Sequence, residues 1–302
     1  MTVLSPPSIN QLSILDGHRL LTLAAYELED DDTISSIYEH RLDANNDEPA
    51  SPLLDANTWL TAVLPHQATE DALVFGSADG EVVFADAEDV NAVEASEHAI
   101  SGLVAIDGLT VATTIGGEVL AIADGEVTSW KSDGPPLFAL GHFDGVLWVA
   151  GDDGYLARRE GEEWKEVATG TTEPIHALAR TEGGLIAIGD GGIIVQVAGD
   201  EATLRTEAVG DLDGVALWRG TVLLAAGEGG LRELTADGTK VLREGLCEAV
   251  AADSKYLVIS SGSELFVSED GATWTPLPYS FPDPSEADDH EHVHGENCDH
   301  EH

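Results

Sequence analysis

The sequence predicts an all-β chain, a single ring of small four-stranded sheets followed by a tail that lies outside the ring. Three observations predict it. A repeat of about 37 residues runs from about residue 71 to about residue 280. Each unit holds several short apolar runs rather than one long periodic segment, which favours strands over helices. Glycine and aspartate gather between those runs, where tight hairpins need left-handed backbone. Four antiparallel strands per unit, repeated at this length, describe the blades of a β-propeller.

The turn after the second strand sets the register. Gly80, Gly117, Gly154, Gly192, Gly230 and Ser263 occupy equivalent places, with steps of 37, 37, 38, 38 and 33 residues. Ahead of each turn stands a Val-, Leu- and Ile-rich run, from DALVFG at 71–76 to KYLVIS at 255–260. A weaker run precedes it, as in GLVAI (102–106), IHALAR (175–180) and CEAVAAD (247–253). A polar segment follows, as in GEVTSW (125–130) and TKVLREG (239–245). The order weak, strong, strong, polar gives four strands per unit. One such sheet buries neither face alone, whereas a ring of them buries each face against a neighbour.

The elements then follow in order. SINQLSIL, HRLLTLAAYEL and TISSIYEHRL form an irregular first blade over 8–50, with the acidic insertion at 29–32 in its central hairpin. Residues 43–56 read as a linker or a loop on one face. Further blades are expected near 56–97, 98–134, 135–171, 172–210, 211–246 and 247–280. The count is seven, and six or eight also fit the pattern. Closure of the ring by strands from both ends is one arrangement the pattern allows. The propeller thus covers 1–281. Pro276, Pro278, Pro282 and Pro284 are expected to end strand pairing and mark the exit from the ring, leaving 282–302 as a tail.

Charge bounds the partners. The 302 residues carry 57 Asp and Glu against 13 Lys and Arg, a formal charge of −44. Such a surface repels nucleic acid and anionic membranes and attracts cations or a basic protein. Adaptation to high salt is the competing account. Cys247 and Cys298 suggest no disulfide framework. No stretch approaches 18 apolar residues, and the first residues lack a basic and an apolar signal region, so a cytoplasmic monomer is the default expectation.

SEDGATW (268–274) resembles the Asp-box turn of BNR-type propellers, and the repeat resembles the WD40/YVTN/BNR-like superfamily over residues 56–280, including photosystem-assembly-factor-like proteins. The resemblance implies that Ser268, Asp270 and Gly271 build a braced hairpin and that Trp274 packs between blades. REGEEW (159–164) and ADGEVTSW (123–130) are weaker echoes. Some propellers of this type are sialidases, which need three converging arginines, a Tyr–Glu pair and an acid Asp. Here Arg158 and Arg159 are adjacent and the other arginines are scattered, and no pattern couples Tyr155 or Tyr256 to a Glu. No nucleophile elbow, phosphate loop or zinc-protease motif occurs. A glycoside hydrolase on the propeller face, needing only two carboxylates, is the weakest of the functional readings.

Two readings stand ahead of it. The first is a non-catalytic platform or inhibitor for a basic partner protein, with Glu29, Asp30, Asp31, Asp32, Asp47 and Glu48 as contact candidates. His142 and His176, at near-equivalent places in adjacent blades, are candidates to face the central channel together. The second is divalent metal handling by the tail. His290, His292, His294, Cys298, His300 and His302 offer imidazole and thiolate ligands for Zn, Ni or Cu. The tail's composition cannot build a core and is expected to be disordered without a partner.

Overall fold

The repeating glycine has a steric cause. Gly80, Gly117, Gly154, Gly192 and Gly230 all have positive φ, between 66° and 84°. At each, a β-carbon would collide with a backbone carbonyl of the segment leading to the next blade: Ser96, Gly134, Thr171, Glu207 and Arg243 in turn. The turn passes directly beneath the inter-blade link, and only a residue without a side chain fits there. Ser263 breaks the series because the left-handed position in that hairpin belongs to Gly262, at φ 60°.

A computed structural model describes residues 7–15, 17–27, 33–43, 48–65, 72–86 and 89–280. These residues form seven four-stranded antiparallel sheets, each made of four consecutive strands. The first strand of every blade lies beside the first strands of its two neighbours, and blade 1 meets blade 7, so the ring is closed. Second strands are the most buried, as in Leu109–Thr114, Val146–Gly151 and Gly184–Gly189. First strands, such as Ile100–Ile106 and Ala249–Ala252, are half-buried. Fourth strands such as Glu126–Lys131 are largely exposed. The weak–strong–strong–polar order in the sequence is therefore the radial order from the axis outward. Separate apolar clusters fill the spaces between blades, one of them joining Trp148, Ala150 and Leu156 to Ile175, Leu185 and Val195.

Two sequence expectations are corrected. Residues 43–56 are not only a linker: Pro52–Ala56 is the fourth strand of blade 1, pairing with Thr33–Arg41. Its alternating burial is masked in sequence by Pro52 and Asp55. Pro276 also does not stop strand pairing. That residue lies in the short last strand Thr275–Pro276, and the chain beyond it runs on to blade 1. Ala50 N–H donates to the Pro278 carbonyl (3.0 Å) and Ser280 N–H donates to the Ala50 carbonyl (2.8 Å), a parallel bridge between Ala50 and Tyr279. Closure thus comes from a strap of residues 277–280 and from side-chain packing, with no strand exchanged between the first and last blades among the described residues.

Candidate functional site: the carboxylate face and the channel mouth

In a meander of four strands, the turn between strands two and three and the link to the next blade lie at the same end of the sheet. In seven blades this makes one face of the ring. Its turns carry Asp79, Glu118, Asp152, Asp153, Asp190 and Glu228, and its links carry Glu97, Asp133, Glu173, Asp211, Asp213 and Glu248. Among the described residues, neither turns nor links of this face contain a Lys or Arg. Two large apolar side chains are also exposed here, Trp59 (49%) in the link from blade 1 to blade 2 and Ile115 (48%) in the central turn of blade 3.

The opposite face has as many acidic turns, but there basic residues pair with several of them. Arg180 Nε donates to Asp144 (2.5 Å), Arg158 and Lys165 both reach Asp200, and Arg41 pairs with Asp43 (3.0 Å). Most of the arginines join adjacent blades. Arg158 and Arg180 cross between blades 4 and 5. Arg205 donates to the Thr235 carbonyl of blade 6 (2.8 Å), and Arg219 of blade 6 donates to the Glu269 carbonyl of blade 7 (2.9 Å). Arg159 stacks 3.6 Å above the Trp130 ring of blade 3. The arginines are thereby dispersed along the seams rather than converging on the axis.

At the carboxylate face the first strands share a device that composition does not reveal. Each pairing slips at the start of the strand in blades 1 to 5, leaving Asn10, Thr61, Ser101, Phe138 and His176 as bulged residues at matching places around the channel mouth. Bulges of this kind redirect a side chain. His176 Nε2 lies 2.7 Å from Asp190 Oδ1, and its ring packs on Phe138 with centroids 5.4 Å apart. Nearby, burial holds the Asp213 carboxyl above the usual carboxylate range; His176 pulls it down, while Asp211, Glu248 and Asp190 push it further up. His142 is elsewhere. It pairs with Leu147 at the far end of Leu137–Phe143, so the ring places His142 and His176 at opposite ends of neighbouring inner strands.

The Asp-box segment forms a turn between the third and fourth strands of blade 7. The Asp270 carboxylate accepts from Thr273 N–H (2.7 Å), Ala272 N–H (2.8 Å) and the Thr273 hydroxyl (3.0 Å), which holds its pKa down at about 2. Ser268 Oγ accepts from Gly271 N–H (2.8 Å). Gly271 lies against the Trp218 ring of blade 6, and Trp274 packs on the cluster shared by blades 6 and 7. In the same cluster Cys247 is a free thiol that burial pushes up to about 12. The set therefore locks a seam.

Of the contact candidates, Glu48 is exposed in the segment between the third and fourth strands of blade 1. Glu29, Asp30, Asp31, Asp32 and Asp47 lie outside the described residues, as do His290, His292, His294, Cys298, His300 and His302. Among the described residues no group of three or more His, Cys, Asp or Glu is arranged to hold a metal ion. No helix among them is long and apolar enough to cross a membrane.

Comparison with solved structures agrees with this architecture. The WD40 β-propeller domain of Doa1 superposes with a TM-score of 0.67 at 12% identity, covering 88% of this chain and 94% of that one. The chain is a seven-bladed β-propeller, structurally related to WD40-type propellers. The computationally designed Ika8 protein superposes with a TM-score of 0.63 at 11% identity, covering 88% of this chain and 97% of that one. At such identities the likeness concerns the fold alone. No protein-family model matches the sequence, and no curated protein matches it.

Proposed function

We propose that this propeller is a non-catalytic binding platform whose carboxylate face receives a basic partner protein. The observation that carries the reading is the partition of charge: carboxylates border both faces, but most of the Lys and Arg ion pairs lie on one, while among the described residues the other has the single pair Arg205–Glu207. An acidic rim with so few basic partners steers a cationic partner and fixes its orientation. Trp59 and Ile115, exposed on that face, offer the apolar contact around which interface energy gathers.

Pull-downs with two matched variants test it. Asp79→Asn, Asp152→Asn and Asp211→Asn neutralise the proposed face; Asp107→Asn, Asp124→Asn and Asp237→Asn neutralise the other by the same charge. The wild-type chain and the second variant are expected to retain a partner at low salt that the first variant loses. Equal retention by both variants contradicts the face assignment, and no specific partner at any salt contradicts the platform.

The tail supports a second reading, divalent metal capture. Its imidazoles, thiol and carboxylates suit Zn, Ni or Cu, with His290, His292, His294, Cys298, His300 and His302 as ligands. Calorimetry with Zn and Cu on the full chain and on a chain ending at Ala287 tests it. Binding confined to the full chain supports the reading, and equal, negligible binding by both removes it.

A further inference from the structure

The seam that closes the ring is built unlike the rest. Blades 1 and 7 meet through Tyr26, Tyr38, Leu42, Tyr256, Val258 and Leu277, with the strap 277–280 laid across them. The Tyr26 and Tyr38 hydroxyls lie 2.5 Å apart, Tyr38 donates to the Ser280 carbonyl (2.9 Å), and Tyr279 donates to the Ser263 carbonyl (2.5 Å). Beneath the strap lies His40, 2% exposed, with its ring edge-on to Tyr279 at 6.2 Å between centroids. Its Nε2 is buried and has no hydrogen-bond partner among the described residues. An unpaired polar atom at a junction held by one short bridge is costly, and a charged one is far costlier.

We propose that this seam is an acid-released latch: protonation of His40 lifts the strap 277–280 from blade 1 and opens the ring at a single point. The released strap would uncover Tyr26, Tyr38 and Leu42. Among the described residues, the groups around the imidazole offer no compensation. From its own strand and across the seam it meets the neutral phenols of Tyr38 and Tyr279. Asp55 acts on Tyr26 and Tyr38, and Glu264 on Tyr279, but burial is the sole influence found on His40 itself. Beside it on the sheet, Glu39 is paired with Arg19 and Asp43 with Arg41.

The sign follows from burial. His40 is held down to about 4, against 6.5 when free. The opened state therefore binds more protons between these values. Closure is at full strength above about pH 6.5 and weakens as pH falls toward 4. Carboxylates titrating near the lower end act in the opposite sense, because they relieve the self-repulsion of a chain with a formal charge of −44.

Hydrogen exchange on the full chain, corrected for the intrinsic rate at each pH, reads this directly. Between pH 7 and pH 4, protection of the Ala50 and Ser280 amides is expected to fall on the order of a hundredfold. The second strands at 146–151 and 184–189 serve as internal references and should hold. His40→Leu, which cannot titrate, should flatten the fall at the strap. A strap that keeps its protection overturns the proposal, as does a fall shared equally by the reference strands. An unchanged fall in His40→Leu also overturns it. Should His40→Leu not fold, the wild-type comparison of strap against reference strands still decides.

Discussion

A left-handed glycine beneath a carbonyl is the smallest unit of this architecture. At Gly154 and Gly192 the positive φ and the overlying Thr171 and Glu207 carbonyls act together. Gly154→Ala or Gly192→Ala should destabilise the chain by about 1–3 kcal/mol in urea unfolding. Gly145 also has positive φ, but space for a β-carbon is open there. Gly145→Ala should therefore cost less than either. Asp270 makes a second prediction at this scale. Its carboxylate is held at about 2 by the N–H groups of Thr273 and Ala272, below the ordinary range near 3.8 to which it returns on unfolding. Its contribution is present above about pH 4 and disappears as pH falls toward 2. Asp270→Asn should lower the melting temperature at pH 6, and the deficit should shrink progressively when melting is repeated at lower pH.

Blades are legible in sequence where the strands are strongly apolar and the turns contain glycine. That covers the second and third strands of blades 2 to 7. The fourth strand of blade 1 is not legible, because Pro52–Ala56 mixes proline and aspartate into a short alternating run. The bulges that ring the channel mouth are hidden too, since Asn10, Thr61, Ser101, Phe138 and His176 share position but no chemistry. Seam arginines escape sequence reading because the partners are in the next blade. Arg205 and Thr235, for example, lie 30 residues apart. Arg205→Ala removes a partly buried guanidinium that also holds Glu207 (2.5 Å), and it should cost about 1–3 kcal/mol in the same unfolding assay.

Over the whole molecule, topology turns a uniformly acidic sequence into two unlike faces. The acidity looks evenly spread along the chain because successive turns alternate between the two ends of each sheet. Only the fold shows that Arg41, Arg158, Lys165 and Arg180 serve the same side. A formal charge of −44 also sets a salt dependence. Raising the ionic strength should raise the melting temperature by screening self-repulsion while weakening any association with a cationic partner. The charge partition itself is tested most directly by a hydrogen-exchange footprint of an oligolysine peptide on the full chain. Protection gained at 78–80, 152–154, 190–192 and 226–230, and absent at 107–108, 144–145 and 219–220, is the predicted result. Protection spread equally over both sets of turns, or confined to the second, would contradict it.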